Sequence, residues 1–282
     1  MSIKTELLDL LQRICRLLPV PAVHRVYIPE PRPHEARHTE FGLVELADGS
    51  AGLYYAWLGE SQQGMTRRYA EPVLRDLTPL ALAQYLQRED DAGRSLGMAA
   101  VNAVSQFLFR QAGYTPPAAG DSMGALDLDA TDHLGMVGYF PSLVDRLRQA
   151  GIRTTVLEKK TRFQGAQGSV RVSLDPDDLN DCNKVLCTAA TLLNDSMDEV
   201  LQHTGGADTV VVVGPTAGFL PDPLFRRGVD AVGGTRILDA GAAISALQQD
   251  AGLGGCAQRY LIRRRDYPGG DALLDKAAGG TG

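Results

Sequence analysis

The chain lacks a CxxC pair, a GxGxxG fingerprint, a Lys-Ser/Thr phosphate loop, a GxSxG elbow and any long apolar run. Each absence removes a class. Cys15, Cys182, Cys187 and Cys256 stand singly, which argues against a disulfide framework and for free thiols in a reducing, cytoplasmic compartment. No stretch approaches the roughly 18 apolar residues of a spanning helix, so no membrane partner is expected. Glu6, Asp9 and Arg13 interrupt the first apolar pattern, which is unlike a signal peptide. Basic residues are outnumbered, 28 Lys and Arg against 34 Asp and Glu. The clusters Arg67-Arg68, Lys159-Lys160 and Arg263-Arg264-Arg265 are short and read as solvated faces, so no nucleic acid is expected. A homo-oligomer is compatible with this composition.

What is present is an ordinary globular balance, 282 residues with 44% hydrophobic and 22% charged, enough for two modest domains. Leu7, Leu8, Leu11, Ile14, Cys15 and Leu18 repeat at helical spacing. Three strand candidates follow, "AVHRVYI", "FGLVEL" and "AGLYYAWL", the last two joined through Asp48-Gly49, a hairpin signal. "TPLALAQYLQRE" opens with Thr78 as a helix cap and Pro79 in the first turn. "DAGRSLGMAAVNAVSQFLFRQAG" is small and apolar on most faces and predicts a helix buried between layers. From "LGMVGYF" onward, continuous apolar strands alternate with amphipathic helices, the pattern of a parallel sheet covered on both sides. The fold class is therefore α/β. A small α+β domain over 1–115 and a linker over 116–132 precede a Rossmann-like, mostly parallel sheet over 133–262. The tail, 263–282, reads as disordered.

Open parallel sheets bind ligands beyond the carboxyl ends of their strands. That rule collects Gly135 and Gly138 of "GMVGYF", where a ligand could approach the turn; a tight strand-to-helix turn explains them equally well. Glu158 closes the second strand, where ribose hydroxyls are often held, or is a solvated carboxylate beside two lysines. Asn194 and Asp195 follow the third strand and suit either helix capping or ligand contact. Gly214, Pro215 and Thr216 end the fourth strand. Pro215 stops the ladder there, Thr216 is expected to face the crevice, and "AGFLPDPLF" to lie over it as a lid. Asp222 before Pro223 reads as a helix cap.

His34-Glu35-Ala36-Arg37-His38 is a formal HExxH, a zinc-protease pattern. It lies between strand candidates behind Pro29, Pro31 and Pro33 with no amphipathic helix around it. A polar loop is the leading reading, with His34 and His38 kept as candidate metal ligands. His133, His203, Cys182 and Cys187 read as structural.

"GRSLGMAAVNAV", "GMVGYFPSLVDRLR", "VLEKK", "TAATLLNDSMDEVL" and "VVVVGPTAGFLPDPLFRRGVDAVGGTRILD" together resemble the "putative heavy-metal chelation" family. The resemblance runs from about residue 10 to 250. It implies a small domain like the enolase amino-terminal domain, a Rossmann-like domain and a cleft between them. By motif position it adds Asn102 and Tyr139 to the ligand-binding candidates. The leading expectation is a small-molecule-binding protein, with catalysis left open, whose ligand lies in that cleft. The alternatives are a protein for a metal ion or metal complex, and a nucleotide- or S-adenosylmethionine-dependent enzyme. A divalent metal or a nucleotide-type molecule is the corresponding cofactor.

Overall fold

The computed structural model describes residues 1–30, 40–56, 65, 68–120 and 125–280. Helix α1, Ile3–Leu17, starts where the Ser2 hydroxyl accepts from the Thr5 amide at 3.3 Å, and it buries Ile3, Leu7, Leu8, Leu11 and Ile14 on one face. Strands β1 (Val23–Tyr27), β2 (Phe41–Leu46) and β3 (Ala51–Tyr55) form an antiparallel sheet in that order. Gly49, at φ +86, makes the β2–β3 turn, and Asp48 accepts from the Ser50 amide across it. Short helices α2 (Glu71–Arg75) and α3 (Pro79–Ala83) follow, the second capped by Thr78 as expected. The helix predicted from Thr78 onward tightens into a 3₁₀ turn after Ala83.

Helix α4, Asp91–Gln111, is the centre of the molecule: every residue from Ser95 to Phe109 is buried. Its small residues let backbones approach. A Cβ on Gly97 would lie 2.1 Å from the Leu86 nitrogen, and one on Gly52 of β3 would lie 2.2 Å from the Ala99 carbonyl oxygen. One side of α4 packs on β3. The other receives the segment after the fourth parallel strand.

That strand belongs to an eight-stranded sheet. Its members are β4 (His133–Val137), β5 (Arg153–Leu157), β6 (Gly165–Gln167), β7 (Val170–Ser173), β8 (Lys184–Thr188), β9 (Thr209–Val213), β10 (Ala231–Ile237) and β11 (Ala257–Arg263). They lie in the order β11-β10-β9-β8-β4-β5-β7-β6. The six central strands are parallel, and β11 and β6 are antiparallel at the edges. Ranked along the chain, β7-β5-β4-β8-β9-β10 is the 3-2-1-4-5-6 order of a dinucleotide-binding sheet, whose direction of winding reverses between β4 and β8. Helices α5 (Pro141–Gln149), α6 (Met197–Gln202), α7 (Asp222–Phe225) and α8 (Ala240–Gln248) follow β4, β8, β9 and β10.

The structure corrects several readings. Gly233 and Gly234, which in the sequence look like a break in the last parallel strand, do not interrupt it: β10 runs through them, and Gly234 is required because a Cβ there would sit 2.4 Å from the Ala217 carbonyl oxygen. "AGFLPDPLF" is no lid. Ala217, Phe219, Leu220 and Leu224 are buried in the core that α4 shares, where Gln106 Nε2 donates to Gly218 O at 2.9 Å and the Leu220 amide to Ser105 Oγ at 3.2 Å. The tail is not disordered. Gly270–Gly279 is helix α9, and its Leu273, Leu274 and Ala277 join the same core. Asp222 does not cap its own helix; it accepts from the Gly270 amide at 2.8 Å and from the Tyr267 hydroxyl at 2.9 Å, fastening α9.

Candidate functional site

Beyond Val137 the chain turns at Gly138, whose φ of +94 favours glycine. The Gly138 amide donates to Leu157 O at 2.9 Å. The next amide, of Tyr139, donates to Glu158 Oε2 at 3.1 Å, and the Lys160 amide donates to Oε1 at 3.0 Å. Glu158 therefore braces the β4 loop against the β5 loop. A carboxylate offers about four acceptor positions, so further donors can still reach it. Phe163, in the 3₁₀ turn after β5, lies flat on Tyr139, with centroids 4.5 Å apart and planes 9° from parallel.

Across the winding reversal, β8 ends at Thr188, whose hydroxyl accepts from the Ala190 amide at 3.3 Å and bends the chain into a 3₁₀ turn. A Cβ on Gly138 would stand 3.1 Å from Thr188 Cγ2. The β9 end comes in from the other side. Gly214 has φ +141, its amide donates to Gly233 O at 3.0 Å, and a Cβ there would face Ala189 at 3.7 Å. Gly138, Tyr139, Thr188, Gly214 and Pro215 remain partly accessible, while the strands that carry them are buried.

The small sheet contributes from above. Tyr55, at the end of β3, lies edge-on to Phe41 at 5.8 Å. Burial, with the charges of Glu40 and Glu158 nearby, pushes its hydroxyl up to about 12. Burial and the charge of Asp250 likewise raise the Glu40 carboxyl. This end of the crevice is acidic, with Tyr55 a neutral hydrogen-bond donor at neutral pH.

Gly138, Tyr139, Glu158, Gly214 and Pro215 thus share one edge. The other candidates do not. Gly135 lies inside β4, where a Cβ would press on Leu179 at 3.0 Å and Cys182 at 3.2 Å, so its role is packing. Asn194 is used by the turn before α6, with Oδ1 accepting from Ser196 Oγ at 2.6 Å. The neighbouring Asp195 carboxylate pairs with Lys4 of α1 and with Arg94 of α4. Thr216 is buried rather than facing the crevice, and its carbonyl accepts from Asn102 Nδ2 at 2.8 Å. Asn102 also donates to Leu53 O at 2.9 Å, which makes it a fastener between the two sheets. Thr188, Tyr55 and Phe163 were not singled out by the sequence. Only the first had a signal, as the residue closing the third long strand.

A metal finds little here. Among the described residues no group of three or more His, Cys, Asp and Glu side chains could hold an ion. Burial pushes the Cys182 and Cys187 thiols up to about 11 and about 12, keeping them protonated and poor ligands. His133 is a satisfied core residue, between Asp181 O at 3.0 Å and Thr155 Oγ1 at 2.9 Å. His34 and His38 lie outside the described residues.

Comparison with known proteins places these observations. An uncharacterized protein of Methanocaldococcus jannaschii is 29% identical over 161 residues, 56% of this chain and 60% of that protein. The match therefore spans less than two thirds of that relative. A DUF364-family protein of unknown function from Pyrococcus horikoshii, solved at 2.70 Å, superposes with a TM-score of 0.64 at 17% identity, over 91% of this chain and 99% of that one. A second such protein, from Desulfitobacterium hafniense at 2.01 Å, gives a TM-score of 0.65 at 17% identity, over 93% of this chain and all of that one. At these identities the two structures show the shared fold. The family model DUF364, "Putative heavy-metal chelation", matches residues 121–264, just over half of the sequence, and the chain belongs to that family.

Proposed function

We propose that this protein binds a small organic molecule at the carboxyl edge of the large sheet, over the Gly138 turn and Thr188. One observation carries the reading. The winding reversal between β4 and β8 coincides with the positive-φ turn at Gly138, and the adjacent strand β9 ends in a second one at Gly214, so a ligand can approach the backbone there. The Tyr139–Phe163 stack offers a flat wall for a ring, and Glu158 and the Tyr55 hydroxyl are placed for a hydroxylated neighbour such as a ribose. A nucleoside-containing compound fits this chemistry better than a bare metal ion, for which the described residues provide no ligand set.

The test is a thermal-shift and native mass-spectrometry screen with adenosine nucleotides, S-adenosylmethionine and divalent metals, on wild type, Gly138→Ala and Thr188→Val. A nucleoside-type ligand should raise the melting temperature of wild type and lose at least about tenfold in affinity in Gly138→Ala, since a Cβ there meets Thr188. Equal affinity in all three proteins would remove the ligand from this edge. The family description supports a second reading, a metal or metal complex. Stoichiometric metal in the purified protein that disappears in the His34→Ala/His38→Ala double variant would favour it.

A further inference from the structure

We propose that a second pocket, separate from the winding reversal, binds the phosphate group of a small phosphate ester. It lies between the β2–β3 turn, the carboxyl-terminal end of α4 and the end of β10, and encloses about 420 Å³. That is within the roughly 300–1,000 Å³ typical of small-molecule sites. Its walls include Ser50, Gln106, Phe109, Arg110, Tyr114 and Arg236.

Arg236 is the decisive residue. It leaves β10 half-buried, and its guanidinium makes no hydrogen bond or ion pair among the described residues. A half-buried arginine with no counter-charge keeps its five N–H donors free, and an anion in the pocket would use them. Arg110 also lines the pocket. It donates to the Asp48 carbonyl and lies 3.6 Å from the Asp48 carboxylate, which leaves most of its five N–H groups available. A third cation, Lys276 of α9, is at the rim, with Nζ 3.9 Å from where a Cβ on Gly113 would be. The opposing carboxylates are Asp48, beside Arg110, and Asp266, which acts on Tyr114 and lies 3.5 Å from Arg265.

The other walls say what the anion is attached to. Gln106 uses Nε2 inward, on Gly218 O at 2.9 Å and Tyr260 Oη at 3.4 Å, so its carbonyl oxygen remains an acceptor for a ligand hydroxyl. Phe109 and Tyr114, with ring centroids 5.2 Å apart, add an apolar flank. Two lining arginines, with Lys276 near Gly113 of the wall, suit a phosphate dianion better than a single carboxylate, and the volume exceeds what phosphate alone would fill. β9 lies between β10 and β8, so this pocket is distinct from the Gly138–Thr188 edge.

The experiment is thermal denaturation and calorimetric titration with inorganic phosphate at constant ionic strength, with chloride and malate as the other arms. Wild type, Arg236→Gln, Arg236→Lys and Gly138→Ala are compared. Because the Arg236 guanidinium makes no hydrogen bond or ion pair among the described residues, Arg236→Gln should melt no lower than wild type without phosphate. It should bind phosphate about tenfold more weakly, the loss expected for one charge-assisted hydrogen bond. Arg236→Lys should recover part of that loss, and Gly138→Ala should bind phosphate as wild type does. Phosphate binding that is absent in wild type, or equal in wild type and Arg236→Gln, overturns the proposal. So does malate binding more tightly than phosphate, or a lower melting temperature of Arg236→Gln in chloride alone.

Discussion

Among single residues, Asn102 carries the most structure per atom. Its Nδ2 group holds one carbonyl of the small sheet, Leu53 O, and one of the segment after β9, Thr216 O, while its Oδ1 is buried with no partner among the described residues. The opposite amide orientation would set an oxygen against both carbonyls, so the donors must face them. Gly218 allows this approach, since a Cβ there would lie 3.3 Å from Oδ1. Asn102→Ala strips both carbonyls of a donor, at about 1–3 kcal/mol for each buried group left unsatisfied. Asn102→Asp should cost more, because it adds a charge to a dry site. Urea denaturation checks this, and a loss in Asn102→Ala below about 0.5 kcal/mol, the scatter of ordinary surface changes, would show that the carbonyls are held another way. The resemblance pointed to Asn102 as a ligand contact. What no pattern in the sequence could say is that its partners lie 49 residues before it and 114 after it.

At the scale of elements, the last helix shows why some of the fold was legible and some was not. Long parallel strands such as β4 and β9 announce themselves as apolar runs, and the buried α4 by its small residues. Strand β6 is three exposed residues, β7 is only four residues long, and β11 is polar in its first half, so none of the three has a strong period. Helix α9 sits behind Pro268 and two glycines and ends in two more, and that punctuation hides the helix formers of "ALLDKAA" and the apolar face they bury. That burial is measurable. Removing residues 270–282 uncovers the sites of Leu273 and Leu274, a loss of roughly 3–6 kcal/mol at about 1.5–3 kcal/mol per buried leucine. Asp222→Ala removes the acceptor of the Gly270 amide and the Tyr267 hydroxyl, and should cost about 1–3 kcal/mol. Burial and the neighbouring Asp222 charge raise the Tyr267 hydroxyl, which keeps it protonated and donating. If Asp222 acts by fastening α9, its substitution should cost much less in the truncated chain than in the full one. Strict additivity in guanidinium denaturation of the four proteins would remove that role.

For the whole molecule, the sequence reads as two domains joined by a linker, and both sheets are present. The core does not respect the division. One continuous cluster of buried side chains begins at Ile3 on α1, passes through α4, takes in Val137, Val185 and Val212 of the large sheet, and closes on Ala277 of α9. The polar fastenings across the same junction are Asn102 to Thr216, Gln106 to Gly218 and Ser105 to Leu220, with Glu6 of α1 paired to Arg227 beyond α7. These contacts cannot be read from a linear pattern, because each half alone has the composition of an independent domain. They have a thermodynamic consequence. An α4 stripped of the large sheet would expose apolar surface on one whole side, so a fragment ending at residue 115 should not hold a cooperative fold. The full chain should therefore unfold in one calorimetric transition, with calorimetric and van't Hoff enthalpies in agreement. Two resolved transitions, or a soluble 1–115 fragment with a sharp melt of its own, would show that the sheets are separately stable. The crevice between them would then be a hinge rather than a fixed slot.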